Sequence, residues 1–352
     1  MKRILQYFKH EVVLTVALIA ALASFLLVPP GAHTLAGIDT TTLLMLFSLM
    51  TIVAGFRHMG AFDKLAGAVT SRIHTLRGLA MVLMTANFLL AMVATHDVAL
   101  ITLVPFTLLL MRGAKVQHLT ITVVLETIAA NLGSMVTPIG NPQNLYLYSS
   151  GRMSAIEFPL HTAFYAVLAF DLLMLCCLLI PKLAVQPAKA PQEKLPARKL
   201  WLYAALAVVA GVAVFIVDRP VLKKVDYTLL ATFVCFFVFV ASVKAYAPIS
   251  AWLEGLMAGS PLVTSLLASQ VISNVPACLL LAPFTQNTSA LMLGVNLGGL
   301  GTIVASLASL ISFRLYGTAE GAKKGLFMGV FTALNVLFLA AMLLLAWALG
   351  AI

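Results

Sequence analysis

The chain reads as an all-α polytopic membrane protein of two inverted structural repeats, each with a re-entrant hairpin and a broken transmembrane helix. Of its 352 residues, 62% are hydrophobic and 10% charged, with a mean hydropathy of +1.04. A soluble core of this size could not hide that much apolar surface. Residues 131 to 144 read Asn-Leu-Gly-Ser-Met-Val-Thr-Pro-Ile-Gly-Asn-Pro-Gln-Asn, and residues 296 to 309 begin Asn-Leu-Gly-Gly-Leu-Gly-Thr before reaching Ser309. One polar, glycine-rich pattern thus recurs inside two apolar segments. Backbone at bilayer depth must be paired, so matched interruptions mark irregular chain around a buried polar site, as in secondary transporters.

The elements follow in order. Met1-Lys2-Arg3 and the apolar run Val12 to Val28 resemble a signal peptide, but the run is long enough to span and further spans follow, which predicts a retained first transmembrane helix within 1–38. Spans are predicted near 41–56, 116–150 (interrupted), 162–181, 200–217, 227–243, 288–313 (interrupted) and 326–349. Two further runs, 79–111 and 260–285, are split by polar residues. The first is flanked by Arg77 and Arg112, so it reads as a hairpin entered from the cytoplasm rather than one long helix. Between 57 and 77, Phe62, Leu65, Val69 and Ile73 recur at helical spacing opposite Lys64 and Arg72, predicting a helix in the interface plane.

Arg57, Lys64, Arg72 and Arg77 follow the second span, whereas residues 30–40 hold no Lys or Arg, which places the N-terminus in the cytoplasm. The Pro- and Lys-containing stretch 182–199 reads as a cytoplasmic linker between a first repeat, 39–181, and a connecting helix, 200–225, that leads into a second repeat, 226–352. The repeats match beyond the breaks: Asp39-Thr-Thr-Thr-Leu-Leu with Asp226-Tyr-Thr-Leu-Leu, and Val104-Pro105-Phe106-Thr107 with Ala282-Pro283-Phe284-Thr285. Inversion requires an odd number of crossings between Asp39 and Asp226, yet four are counted. Either 200–217 does not cross fully, or a crossing is missed, or the repeats are parallel. Lys223 and Lys224 beside Asp226 favour the cytoplasmic position that inversion needs.

The net charge of +10 points to the anionic inner leaflet rather than to nucleic acid, because the basic residues sit in short connections. Cys176, Cys177, Cys235 and Cys278 all lie in apolar stretches, as buried small hydrophobes and not a disulfide framework or zinc cluster. No HExxH or GxSxG arrangement accompanies them, so an intramembrane enzyme has no constellation to work with. No cofactor is expected beyond a coupling Na⁺ or H⁺.

The hairpin centres hold Thr95-His96-Asp97 and Ser273-Asn274-Val275. Helix ends at a broken hairpin expose amides for anions and carbonyls for cations. With Thr137 to Asn144 and Thr302 to Ser309 these would line a pseudo-symmetric cavity, the alternative being that each polar residue merely caps a helix end. Asp97 could ligate sodium or carry a proton. His96 could accept that proton, pair with Asp97, or stay neutral on a neighbouring carbonyl. Glu126, about a turn and a half before Asn131, and Asp171, in the middle of 162–181, are candidates for a proton relay, or for pairing with a cation in a wet crevice.

Thr95-His96-Asp97-Val98 with Pro105, the run Thr137-Pro138-Ile139-Gly140-Asn141-Pro142-Gln143-Asn144, and Ser273-Asn274-Val275-Pro276 with Pro283 resemble the ion transporter superfamily. That group holds arsenite permeases, NhaD-type sodium-proton antiporters and divalent anion-sodium symporters, and the resemblance is closest to small bacterial anion permeases. It implies a homodimer in the bacterial inner membrane, each protomer a scaffold plus a transport domain moving as an elevator. By matching motif, the substrate- and ion-binding positions would be Thr95, His96, Asp97, Thr137, Gly140, Asn141, Asn144, Ser273, Asn274, Val275, Thr302 and Ser309, with sodium possible at Asp97, Asn141 and Asn274. The chain departs from the family in having His96 before the hairpin Asp, which weights coupling toward protons, and Ile303-Val304-Ala305-Ser306 in the second break, which is less polar. The expected function is secondary active transport of a small inorganic anion or oxyanion. Arsenite or antimonite efflux, with Cys278 near the metalloid, and sodium-proton antiport are the alternatives.

Overall fold

A computed structural model of the chain describes residues 11–58, 73–184 and 226–352, and within them helices account for nearly all regular structure. In chain order they are α1 (Val12–Ser24), α2 (Ala32–Ala36), α3 (Thr40–His58), α4 (Leu76–Ala94), α5 (His96–Leu110), α6 (Val116–Ser134), α7 (Pro142–Ser149) and α8 (Glu157–Cys177). The second half holds α9 (Tyr227–Ala245), α10 (Ala247–Gly259), α11 (Pro261–Ile272), α12 (Asn274–Leu281), α13 (Thr288–Leu297), α14 (Leu307–Tyr316) and α15 (Lys324–Ala348).

The expected punctuation is present in both halves. Helices α4 and α5 meet at Thr95 and pack on each other, and so do α11 and α12 around Ser273. The segments 116–150 and 288–313 each divide into two helices, α6 and α7 in the first, α13 and α14 in the second. The first stops at Ser134 and restarts at Asn141, whose side-chain oxygen caps the Asn144 amide while Pro142 takes the first helical turn, where no amide is needed.

The halves interlock rather than sit side by side. The second hairpin arm α5 packs on α14, and its counterpart α12 packs on α7. Each broken helix is therefore covered by the other half's hairpin. Two apolar clusters result, one gathering α4, α5, α6, α8 and α15, the other gathering α7, α9, α12 and α13.

Among the described residues four helices, 76–94, 157–177, 227–245 and 324–348, are long and apolar enough to cross a membrane. Helix α1 is shorter than the predicted run Val12 to Val28, because Ser24 turns its hydroxyl onto Ala21 O and Pro29-Pro30 lie just beyond. At about 1.5 Å per residue its 13 residues reach only about 20 Å. Helix α10, between a span and the second hairpin, was not expected. Its Trp252 and Leu256 are exposed, a helix with an apolar outer face in the place where the first half carries the predicted interfacial segment. Phe62, Leu65 and Val69 of that segment, residues 185–199 of the linker and the connecting helix 200–225 lie outside the described residues, and with them the crossing on which parity turns.

Candidate functional site

Corresponding residues of the two halves make the same bonds. At the tips, Thr95 (φ 81°, ψ 147°) and Ser273 (φ 73°, ψ 154°) are the positive-φ residues other than glycine among the described residues. The amide that follows each tip turns into a break: His96 N–H donates to Gly140 O and Asn274 N–H to Ala305 O, both at 2.9 Å. The break threonines return the contact. Thr137 donates its hydroxyl to Met92 O, and Thr302 to Gln270 O at 3.0 Å, each three residues before its tip.

A third pair crosses between halves. Asn141 Nδ2 donates to Asn296 Oδ1 at 2.9 Å, and Ser306, at the matching position, donates to Asn131 Oδ1 at 2.9 Å. Asn131 and Asn296 are the first residues of the repeated motif. They were not expected as site residues, yet their shared register in the repeat was the available signal. Gly140 is needed in this packing because a Cβ there would collide with the Ser134 carbonyl.

The site then departs from symmetry. In the first break the freed carbonyls of Met135 and Thr137 accept from Asn144 Nδ2, at 3.2 and 3.0 Å, and Asn144 Oδ1 accepts from Asn296 Nδ2 at 2.8 Å. In the second break this work passes to Gln270, another residue the sequence reading missed. Its Nε2 donates to Gly298 O and Leu300 O, and its Oε1 caps the Thr302 amide at 2.9 Å. Ser309, at the position of Asn144, is relieved of that task. Its Oγ, the Nδ2 of Asn131 and the Oδ1 of Asn274 are buried with no hydrogen-bond partner among the described residues.

The expected site residues thus divide. Gly140, Asn141, Asn144, Thr137 and Thr302 are engaged in holding the breaks, with Thr302 itself exposed. Val275 lies buried in the second apolar cluster behind its tip. Asn274 and Ser309 keep unused polar atoms, joined by Asn131. At the first tip Thr95 caps the Val98 amide, His96 is buried, and Asp97 keeps 19% of its side chain exposed. His96 Nε2 lies 3.2 Å from Asp97 Oδ1, close enough for an ion pair when the imidazole is protonated, although too poorly aligned to count as a hydrogen bond.

Buried donors near two helix N-termini suit an anion, whereas a carboxylate and tip carbonyls suit a cation. Among the described residues no three His, Cys, Asp or Glu side chains gather as a metal cluster would require. Cys278 is wholly buried, its Sγ 3.9 Å from Gln143 O, and all four cysteines are free.

Comparison with known proteins places this geometry among carriers. Residues 7–292 match the CitMHS family, described as citrate transporter. Inner membrane protein YbiR of Escherichia coli is 32% identical over 305 residues, covering 80% of this chain and 81% of that protein. An uncharacterized transporter of Methanocaldococcus jannaschii is 28% identical over 330 residues, 88% of this chain and 91% of its own. A silicon efflux transporter of Oryza sativa is 31% identical over 145 residues, 41% of this chain and 30% of the plant protein.

Proposed function

This chain belongs to the citrate transporter family, a multi-pass membrane transporter and not an enzyme, and from that premise we propose that it carries a small oxyanion by secondary active transport. The reading takes the two breaks and two tips as one site. The observation that carries it is the set of buried, unused polar atoms on Asn131, Asn274 and Ser309, gathered around the Ser306 to Asn131 bond. An unpaired buried polar atom costs about 1–3 kcal/mol, so such a cluster is retained where an incoming group will use it, and Asn131 Nδ2 and Ser309 Oγ are the two of these that can donate to an oxyanion.

The substrate proposed is an oxyanion of carboxylate or inorganic type. The family description favours a carboxylate and the partial likeness to the silicon carrier an inorganic species. Coupling is assigned to the first tip, where Asp97 and His96 would exchange a proton or, in the alternative, Asp97, Asn141 and Asn274 would share a sodium ion. His96 favours the proton, because an imidazolium there would repel sodium. Asn141 supports sodium weakly, since both its polar atoms are engaged. Arsenite efflux through Cys278 and plain sodium-proton antiport remain lesser readings; the buried thiol supports the first of these poorly.

Inverted repeats, elevator movement and a homodimer complete the proposal. The matched bonds support a repeat, and the family resemblance supports the rest. The reading is tested by thermal-shift measurements on purified full-length protein with citrate, arsenate, silicate, sodium and pH as variables, since a ligand that binds only the folded state raises its stability. Stabilisation by an oxyanion is expected. No shift with any of them overturns it.

A further inference from the structure

Glu126 is wholly buried in the middle of α6, and three helices meet on it. One carboxyl oxygen, Oε1, accepts from Asn87 Nδ2 on α4 at 3.0 Å and from Thr107 Oγ1 on α5 at 2.6 Å. The carboxyl therefore ties both arms of the first hairpin to the broken helix they pack on. Among the described residues the other oxygen, Oε2, is buried with no donor, and so is Asn87 Oδ1. Turning the Asn87 amide over would not repair this, because Nδ2 also donates to Leu83 O at 3.2 Å and a flip would set two acceptors face to face.

Among the described residues no cation balances the group. On α4, Arg77 spends its guanidinium on Ile180 O and Leu178 O, and on α5 the titratable residues are His96 and Asp97 at the tip, about 16 Å along the helix from Thr107. On α8, Cys177 is the titratable group that interacts electrostatically with Glu126, while Asp171 is exposed. On α14, Arg314 is exposed and Tyr316 bonds Thr120, and on α15, Lys324 is exposed. His118 lies two turns away on α6 itself, and α13 carries no titratable residue.

We propose that Glu126, with Asn87 and Thr107, is a proton-binding site separate from the hairpin tip, occupied at neutral pH, which clasps both arms of the first hairpin to α6. A proton on Oε2 removes a charge that nothing pairs and turns a donorless acceptor into a donor. On release the proton passes to water and leaves a carboxylate held only by the two bonds to Oε1. Sodium fits the site worse, for two spare acceptor oxygens fall short of the five or six oxygens a hard cation gathers. The site stands on geometry alone; only its use during transport rests on the function proposed above.

The test is infrared spectroscopy of the full-length protein in phosphatidylcholine and phosphatidylglycerol vesicles, titrated from about pH 5 to about pH 9 across the range of perturbed carboxyls. A carboxylic-acid carbonyl band should be present at neutral pH, lost in Glu126→Gln and kept in Asp97→Asn. Thr107→Val, which removes a donor to Oε1 and keeps the acid, should shift the band's frequency and move its titration to higher pH. A band absent at neutral pH, kept in Glu126→Gln, unmoved in Thr107→Val, or bleached by sodium at constant pH overturns the proposal. None of these readouts needs a transported solute, so failure of the transport reading would leave them standing.

Discussion

Thr95 and Ser273 occupy the same left-handed, extended backbone conformation at the tips of two hairpins in different halves of the chain. Such geometry costs about 1–3 kcal/mol for a residue with a side chain. Here it swings the next amide out of its helix and into a break, onto Gly140 O in one half and Ala305 O in the other. Polar tips and polar breaks are thereby joined by backbone as well as by side chains.

Ser273→Val should lower stability relative to Ser273→Gly by about 1–3 kcal/mol, because a β-branched residue tolerates positive φ least and glycine tolerates it freely. Thermal unfolding of the two variants in detergent decides this. Equal midpoints would mean that the tip carries no strain.

Asn144→Ala and Asn274→Ala should both abolish uptake of radiolabelled citrate into vesicles if citrate is the substrate, yet differ in stability. Removing Asn144 strips the only side-chain donors from Met135 O and Thr137 O among the described residues, a loss of about 1–3 kcal/mol. Asn274 Oδ1 has no bond to lose, so its variant should unfold close to the wild-type temperature. Two variants of equal stability would show that Asn144 does not hold the break.

Single cysteines at Arg112→Cys and Gln286→Cys, in a chain with the four native cysteines replaced, should react with a membrane-impermeant thiol reagent from opposite faces of the membrane. Both positions are exposed, and Arg112 faces Glu320 at 3.5 Å, a surface pair of little energetic weight. Labelling from one face would refute inversion and leave parallel repeats.

Activity should depend on pH through the first tip. With His96 Nε2 3.2 Å from Asp97 Oδ1, a proton taken up at the tip is held between an imidazole and a carboxyl group. His96→Asn should flatten the pH profile of citrate uptake between roughly 5.5 and 7.5 and render uptake sodium-dependent. Asp97→Asn should stop uptake. Wild-type uptake that needs sodium and ignores pH over that interval would leave His96 a structural residue.

Periodicity, polar interruptions and repeated motifs are local properties, which is why hairpins and breaks could be read within a few residues of where they lie. Boundaries slipped where a local contact intervened, as at Ser24 in α1. The apolar, charge-poor stretch 247–259 was overlooked because Leu253 and Met257, the two residues it buries in the second cluster, are too few to stand out as a periodic face among its other apolar residues.

By itself the sequence determined that this is a helical membrane protein in which one polar pattern recurs, and that polar residues interrupt its apolar segments at two tips and two breaks. Both follow from the rule that apolar solvent tolerates no unpaired backbone. Only the tertiary structure decided which of those polar groups are already engaged. Thr137 and Asn144, expected as ligands, also hold backbone carbonyls, Met92 O on the hairpin and Met135 O and Thr137 O in the break, whereas Asn131 and Ser309 keep unused atoms and Gln270, about thirty residues away, caps the second break. Hydrogen-bond satisfaction depends on what the rest of the fold places within about 3 Å, and spacing along one segment does not encode it.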